Sequence, residues 1–232
     1  MHGILLVDKP VGPTSHDVVN LLRRQTGLRR VGHAGTLDPM ASGLLVLVLG
    51  PATRWAASLM QSEKEYDVTI QLGVGTDTGD ATGRVVAQAP AGWHAPAPAE
   101  LITQLQRCVG ELAQVPPMFS AIKYQGQPLY RWARRGVTVP RRPRQVHIYR
   151  WDLRQYAPPS LTSVVQCSRG TYIRALADTL GERLGCPAHV TALRRLRSGT
   201  FHVAEAVTWD WLARATSAQI AERLIAAAPV AP

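Results

Sequence analysis

The sequence predicts an α+β protein rather than a doubly wound sheet, because strand-like and helix-like segments are interspersed without a regular βαβ rhythm. Its 232 residues are 46 % hydrophobic and 18 % charged, a globular composition with enough apolar surface for a sizeable core. Arginines crowd into the second half, which points to a polyanionic partner.

Each element follows from a local signal. Ile4 to Val7 reads as a short buried strand. Thr14 or Ser15 caps a helix through about Thr26, with Asp17 in the first turn and Gly27 at the stop. Val31 to Ser42 reads as a loop rich in Gly, Thr and Pro. Leu44 to Leu49 is a continuous apolar run, a strand covered on both faces. Pro51 opens a second helix to about Met60. From Tyr66 the pattern alternates, with Tyr66, Val68, Ile70 and Leu72 on one face and Asp67, Thr69 and Gln71 on the other. Gly73 to Gly83 is a turn segment, and Arg84 to Gln88 is its hairpin partner. Ala89 to Ala99 reads as a linker. Leu101, Leu105, Cys108 and Leu112 form one helical stripe. Val115 to Arg144 holds five prolines, several aromatics and many cations, and reads as a protruding basic segment rather than core. Val146 to Trp151 and Thr162 to Cys167 are strand-like, and Thr171 to Leu184 is an amphipathic helix.

Charge and cysteines bound the function. Lys and Arg number 26 against 16 Asp and Glu, a net +10. Lys123 to Ser198 alone carries 15 basic and 3 acidic residues, or +12 in 76 residues, and 14 of those cations are Arg. The guanidinium fork suits phosphate, so nucleic acid is favoured over a membrane surface. The longest apolar run is too short for a bilayer. Asp8, Lys9 and Pro10 interrupt the N-terminal apolar stretch before a signal-peptide core forms. Cys108, Cys167 and Cys186 are odd in number and contain no CxxC, which argues against a disulfide framework or structural zinc. A reduced, cytoplasmic protein is the expectation.

Several residues are candidates for chemistry, each with a plainer reading beside it. Asp38 stands before Pro39, extended, at the mouth of the Leu44 strand. It can be a nucleophile, a general base or a metal ligand; composition alone favours a turn-forming aspartate. His33 reads as a loop histidine bonded to backbone rather than a metal ligand. Tyr66 reads as a core tyrosine, although a ring at a sheet edge can also stack on a base. The Gly73 to Gly83 segment lacks the Lys of a phosphate loop and the Glu of a calcium loop, so a tight hairpin is the better reading. Arg174 lies in the first turn of its helix, where the macrodipole disfavours a cation. It is either solvated or holds an anion: a phosphate, a surface carboxylate or a catalytic one. Leu193 to Phe201 is a basic stretch with interleaved apolar residues, compatible with RNA contact.

Together these segments resemble one family. Gly3 to Ser15 is similar to its opening motif, and Gly32-His-Ala-Gly-Thr-Leu-Asp-Pro-Met-Ala-Ser-Gly-Leu44 to its catalytic motif. Lys64-Glu-Tyr66, Gly75 to Asp80, Val115 to Ala121, Gly170 to Arg174 and Leu193-Arg-Arg195 follow in the family's order. The chain resembles the bacterial tRNA pseudouridine-55 synthases from about Gly3 to Trp211. That resemblance implies a large mixed, mostly antiparallel sheet with flanking helices and a central catalytic cleft. It implies isomerisation of a T-loop uridine to pseudouridine on a flipped-out base, with no cofactor, metal or ATP. It also implies the tRNA T arm as partner, with no membrane and no obligate protein partner. By position, Asp38 is the implied catalytic carboxylate, Tyr66 stacks on uracil and Arg174 pairs with Asp38. His33 supports the RNA, Tyr172 and Leu193 line the pocket, and Lys123, Arg131, Arg141 and Arg142 contact RNA from an inserted thumb at 115–144. The implied organisation is a catalytic domain at 1–211 and an Ala-rich tail at 212–232, without room for the PUA-type domain usual in the family. The rivals are a non-catalytic RNA-binding or RNA-folding module and a base-excising glycosylase.

Overall fold

The computed structural model describes residues 1–226. In chain order its strands are Gly3–Lys9 (β1), Val31–His33 (β2), Ala41–Leu49 (β3), Lys64–Leu72 (β4), Val74–Thr76 (β5), Val85–Gln88 (β6), Gly110–Gln114 (β7), Lys123–Tyr124 (β8), Gln127–Pro128 (β9), Arg144–Ala157 (β10), Ser160–Cys167 (β11), Ala188–Ser198 (β12), Phe201–His202 (β13) and Val207–Thr208 (β14). Its helices are Ser15–Thr26 (α1), Ala56–Met60 (α2), Pro98–Gln106 (α3), Leu129–Ala133 (α4), Ile173–Arg183 (α5), Trp209–Arg214 (α6) and Ser217–Glu222 (α7). The architecture is α+β, with a large mixed, mostly antiparallel sheet and flanking helices. Two compact units divide it, Met1–Asp67 with the chain from Leu193 onward, and Val68–Ala192.

The first unit is built around β3. Leu44 to Leu49 are at most 1 % exposed, as an apolar run covered on both faces requires. Here the order is β14-β1-β3-β12, with β2 added to β3 and β13 to β12. β1 and β2 pair with β3 antiparallel, whereas β12 runs parallel to it, with Leu193 opposite Ala41 and Arg195 opposite Gly43. Ile4, Leu6, Leu44, Val46, Val48 and Leu59 form one core cluster. α1 begins and ends where its sequence dictates. Thr14 Oγ1 accepts the Asp17 N–H at 3.1 Å, and the Asp17 carboxylate accepts the Thr14 N–H at 2.8 Å. Gly27, at φ 70°, closes the helix by donating to Arg23 O.

In the second unit the order is β4-β11-β10-β7, with β10 antiparallel to both neighbours. β4 buries alternate residues as its pattern predicts. β5 and β6 form the expected hairpin, antiparallel from Val74 opposite Gln88. The basic segment carries the short β8–β9 hairpin and α4, anchored by buried Leu129 and Val139. Among the described residues no helix is long and apolar enough to cross a membrane.

Four expectations are corrected. The loop at Val31 to Ser42 contains β2, because Val31 to His33 find open pairing positions on β3. Pro51 opens a 3-10 segment, Gly50–Trp55, before α2. The stripe through Leu112 is broken: α3 stops at Gln106, Gly110 at φ 104° redirects the chain, and Leu112, on β7, pairs with Val146 of β10. Local spacing there yields to the longer β10 edge. Lastly, residues after 211 are not a simple tail. Leu212 in α6 and Ile220 in α7 are fully buried, and Ile225 bridges Ile4. The remainder of the 212–232 segment, from 227, lies outside the described residues.

Candidate active site

In the first unit the site is the loop between β2 and β3 that carries Asp38. Its backbone is held from three directions. Ser15 at the start of α1 accepts the Leu37 N–H at 2.8 Å and donates to Leu37 O at 3.0 Å. Gly12 N–H reaches Pro39 O at 2.8 Å. The Arg195 guanidinium donates to Leu44 O at 2.7 Å, Gly35 O at 3.1 Å and Thr36 O at 3.3 Å. Asp38 O itself accepts from Ala41 N at 3.0 Å, which turns the chain into β3. The half-buried Asp38 side chain therefore rises from a backbone with few degrees of freedom.

Other groups in this unit complete the setting. Tyr66 is 9 % exposed, on the buried face of β4. Leu193 is equally buried on β12. His33 is half-buried on β2; burial, then the charges of Arg195 and His16, lower its pKa and favour a neutral ring. Its Nδ1 is buried without a hydrogen-bond partner. Lys9 is fully buried, and its ammonium donates to Pro10 O and Pro13 O, each at 2.8 Å. Burial pulls its pKa down to about 8, against the opposing field of Asp38.

In the second unit Arg174 is the centre. It is 3 % exposed in the first turn of α5, so it is not a solvated arginine. Its Nη1 donates to Thr78 O at 2.7 Å and its Nη2 to Phe119 O at 2.8 Å, while Nε lies 3.7 Å from the Asp80 carboxylate. Asp80 is buried and is itself oriented, since Thr78 Oγ1 and the Thr82 N–H donate to its Oδ1 at 2.8 and 3.0 Å. This leaves Oδ2 facing the guanidinium. Gly79 permits the approach: at φ 73°, a Cβ there would meet Arg174 Cβ at 3.3 Å. Tyr172 precedes α5, and Gln114 clamps its backbone, accepting its N–H at 3.0 Å and donating to its carbonyl at 3.3 Å. Lys123, Arg131 and Arg142 are exposed. Arg141 differs: half-buried, it donates to Pro116 O at 3.0 Å and acts as a strut.

Asp80, Gln114, Ser15 and Arg195 hold the site without a local sequence signal of that role. Ser15, Asp80 and Arg195 lie inside motifs that carry the family resemblance; nothing local marks Gln114. Among the described residues no three His, Cys, Asp or Glu side chains group as a metal site.

Comparison with known proteins places this geometry in a family. Residues 23–173 match the model of the TruB family pseudouridylate synthase N-terminal domain. The chain belongs to the TruB family. Residues 174–227 match the tRNA pseudouridylate synthase B C-terminal domain, so the second TruB model begins at Arg174 and runs past 211 to 227. The chain is similar to the tRNA pseudouridine synthase B of Syntrophotalea carbinolica, 51 % identical over 90 % of this chain and 68 % of that protein. It is also similar to that of Opitutus terrae, 44 % identical over 100 % of this chain and 95 % of that protein. Among solved structures it resembles a chain of a Cbf5-Nop10-Gar1 complex at 31 % identity and a TM-score of 0.70, covering 90 % of this chain. It spans about half of that larger chain, 52 % of its length. In the TruB frame, the Asp38 loop and Tyr66 fall in the N-terminal model, and Arg174 and Leu193 in the C-terminal one.

Proposed function

We propose that this protein isomerises uridine to pseudouridine in tRNA, at the uridine of the T loop, with Asp38 as the catalytic carboxylate. One observation carries the reading: Asp38 stands on a backbone fixed by Ser15, Gly12 and Arg195 within the Gly32 to Leu44 motif of a TruB chain. A fixed carboxylate can meet a nucleoside sugar or base without reorganising, which is where its catalytic power would lie. Arg174, buried and always charged, is the proposed cationic group of the reaction.

The reaction conserves atoms. The N1–C1′ bond breaks, uracil turns, a C5–C1′ bond forms, and the proton on C5 is released while N1 gains one. No cofactor is needed for that balance. The target base must leave its stack at a cost of about a few kcal/mol, and stacking on Tyr66 would return part of it. Tyr66 is also a candidate for removing the C5 proton. Tyr172 and Leu193 are proposed to line the pocket, His33 to support the RNA, and Lys123, Arg131 and Arg142 to meet its backbone. A cytoplasmic setting fits a tRNA substrate.

Release of tritium from 5-labelled uridine in a T-arm hairpin tests the reading. The unaltered protein is expected to release it stoichiometrically, and Asp38→Asn to release none while retaining RNA affinity. Equal release by both proteins would defeat the Asp38 role. Free uracil on chromatography would instead indicate a glycosylase. Binding without either product would indicate an RNA-binding module.

A further inference from the structure

We infer that Arg195 is a positioning residue for the reaction: its guanidinium sets the path of the backbone on both sides of Asp38. The inference rests on the proposed role of Asp38. Arg195 is 1 % exposed, although a lone buried cation is costly. Its hydrogen bonds go to carbonyl oxygens rather than to a carboxylate. Gly35 O and Thr36 O precede Asp38, and Leu44 O follows it. One planar group thus ties the end of the loop before Asp38 to the strand after it. Each carbonyl gains a charge-assisted donor, stronger than a neutral one.

A second observation fixes the root of that side chain. β12 runs against β3 with Arg195 opposite Gly43. A Cβ at Gly43 would stand 2.3 Å from Arg195 O and 2.7 Å from its N, and Gly43 sits at φ 98°. The two backbones are closer than any side chain allows, so the guanidinium projects from a fixed point. Gly43 therefore serves Arg195, and Arg195 serves the Asp38 loop.

The fork is specific to arginine. Lysine offers one compact ammonium that cannot span three carbonyls in a plane. It also loses its proton readily when buried. Lys9 shows this nearby, pulled down to about 8 by burial. Arg195 also helps to hold His33 neutral, an effect that a merely structural contact would not have.

Arg195→Lys tests this on two readouts. The first needs no activity: deuterium exchange of the 34–41 amides is expected to quicken about tenfold or more, while β11 is unchanged. The second is single-turnover conversion of uridine in a T-arm hairpin at saturating protein. It is expected to fall roughly a hundredfold, the usual scale for a catalytic group displaced by about an ångström. Hairpin affinity should be unchanged, and added methylguanidinium should restore part of the rate to Arg195→Ala. Unchanged exchange in Arg195→Lys overturns the inference, as does an unchanged rate. Quickened exchange in every peptide also overturns it, because the role would then be global stability. If the unaltered protein converts no uridine yet Arg195→Lys loosens residues 34–41, the isomerase reading fails and the positioning of the loop stands.

Discussion

Arg174 shows how far a single residue can be read. A cation in the first turn of a helix opposes the macrodipole, and that conflict leaves two readings, a solvated arginine or one that holds an anion. Nor does it say which anion. Asp80 lies 94 positions earlier in a turn whose glycines signalled only a hairpin. No local pattern tells what a hairpin tip will face. Because Asp80 Oδ2 orients the guanidinium, Asp80→Asn is expected to slow single-turnover conversion by roughly tenfold or more, with hairpin affinity little changed. A rate equal to the unaltered protein's would show that the carbonyls of Thr78 and Phe119 suffice. Lys9 permits a test of sign. Its folded pKa, about 8, lies below the unfolded value of 10.5. Between those values the unfolded chain holds a proton that the folded one has released, so this group makes stability rise with pH from 8 to 10.5. The rise amounts to about 3 kcal/mol at most. Denaturant melts of Lys9→Met across that range should lack it; identical pH slopes would reject the burial effect.

At the scale of elements, legibility followed how local the cause was. α1 was readable almost to the residue, because Thr14, Asp17 and Gly27 act within one turn of where they sit. β3 was readable from its apolar run, and β4 from its alternation. β2 and β7 were missed because their strand character comes from partners, β3 and β10, distant in sequence or hidden by a helical spacing. The α1 cap gives a measurable consequence. Thr14→Ala removes the acceptor for Asp17 N and is expected to cost about 1 kcal/mol. For a chain of this size that lowers Tm by roughly 2–4 °C. Gly43→Ala should cost more, since the residue combines a left-handed φ with contacts no Cβ can meet. A Gly43→Ala melt within a degree of the unaltered protein would mean that β3 and β12 separate freely.

For the molecule as a whole, the separation of charge along the chain was the clearest signal of function. A net +12 within Lys123 to Ser198 is far from what solubility alone requires. What composition could not show is that these arginines do different work. Arg174 and Arg195 are buried and bond within the fold, Arg141 braces Pro116, and Arg131 and Arg142 face solvent. Only the exposed group can exchange counterions for phosphate. Affinity for a T-arm hairpin should therefore fall linearly with salt on logarithmic axes. Arg142→Ala is expected to reduce that slope by about 1 while leaving the melt unchanged. Arg141→Ala should behave differently, lowering Tm by loss of its bond to Pro116 O and changing the slope less. If both substitutions shift the slope equally and neither moves the melt, Arg141 is a phosphate contact like its neighbour, and its carbonyl bond is broken whenever RNA is bound.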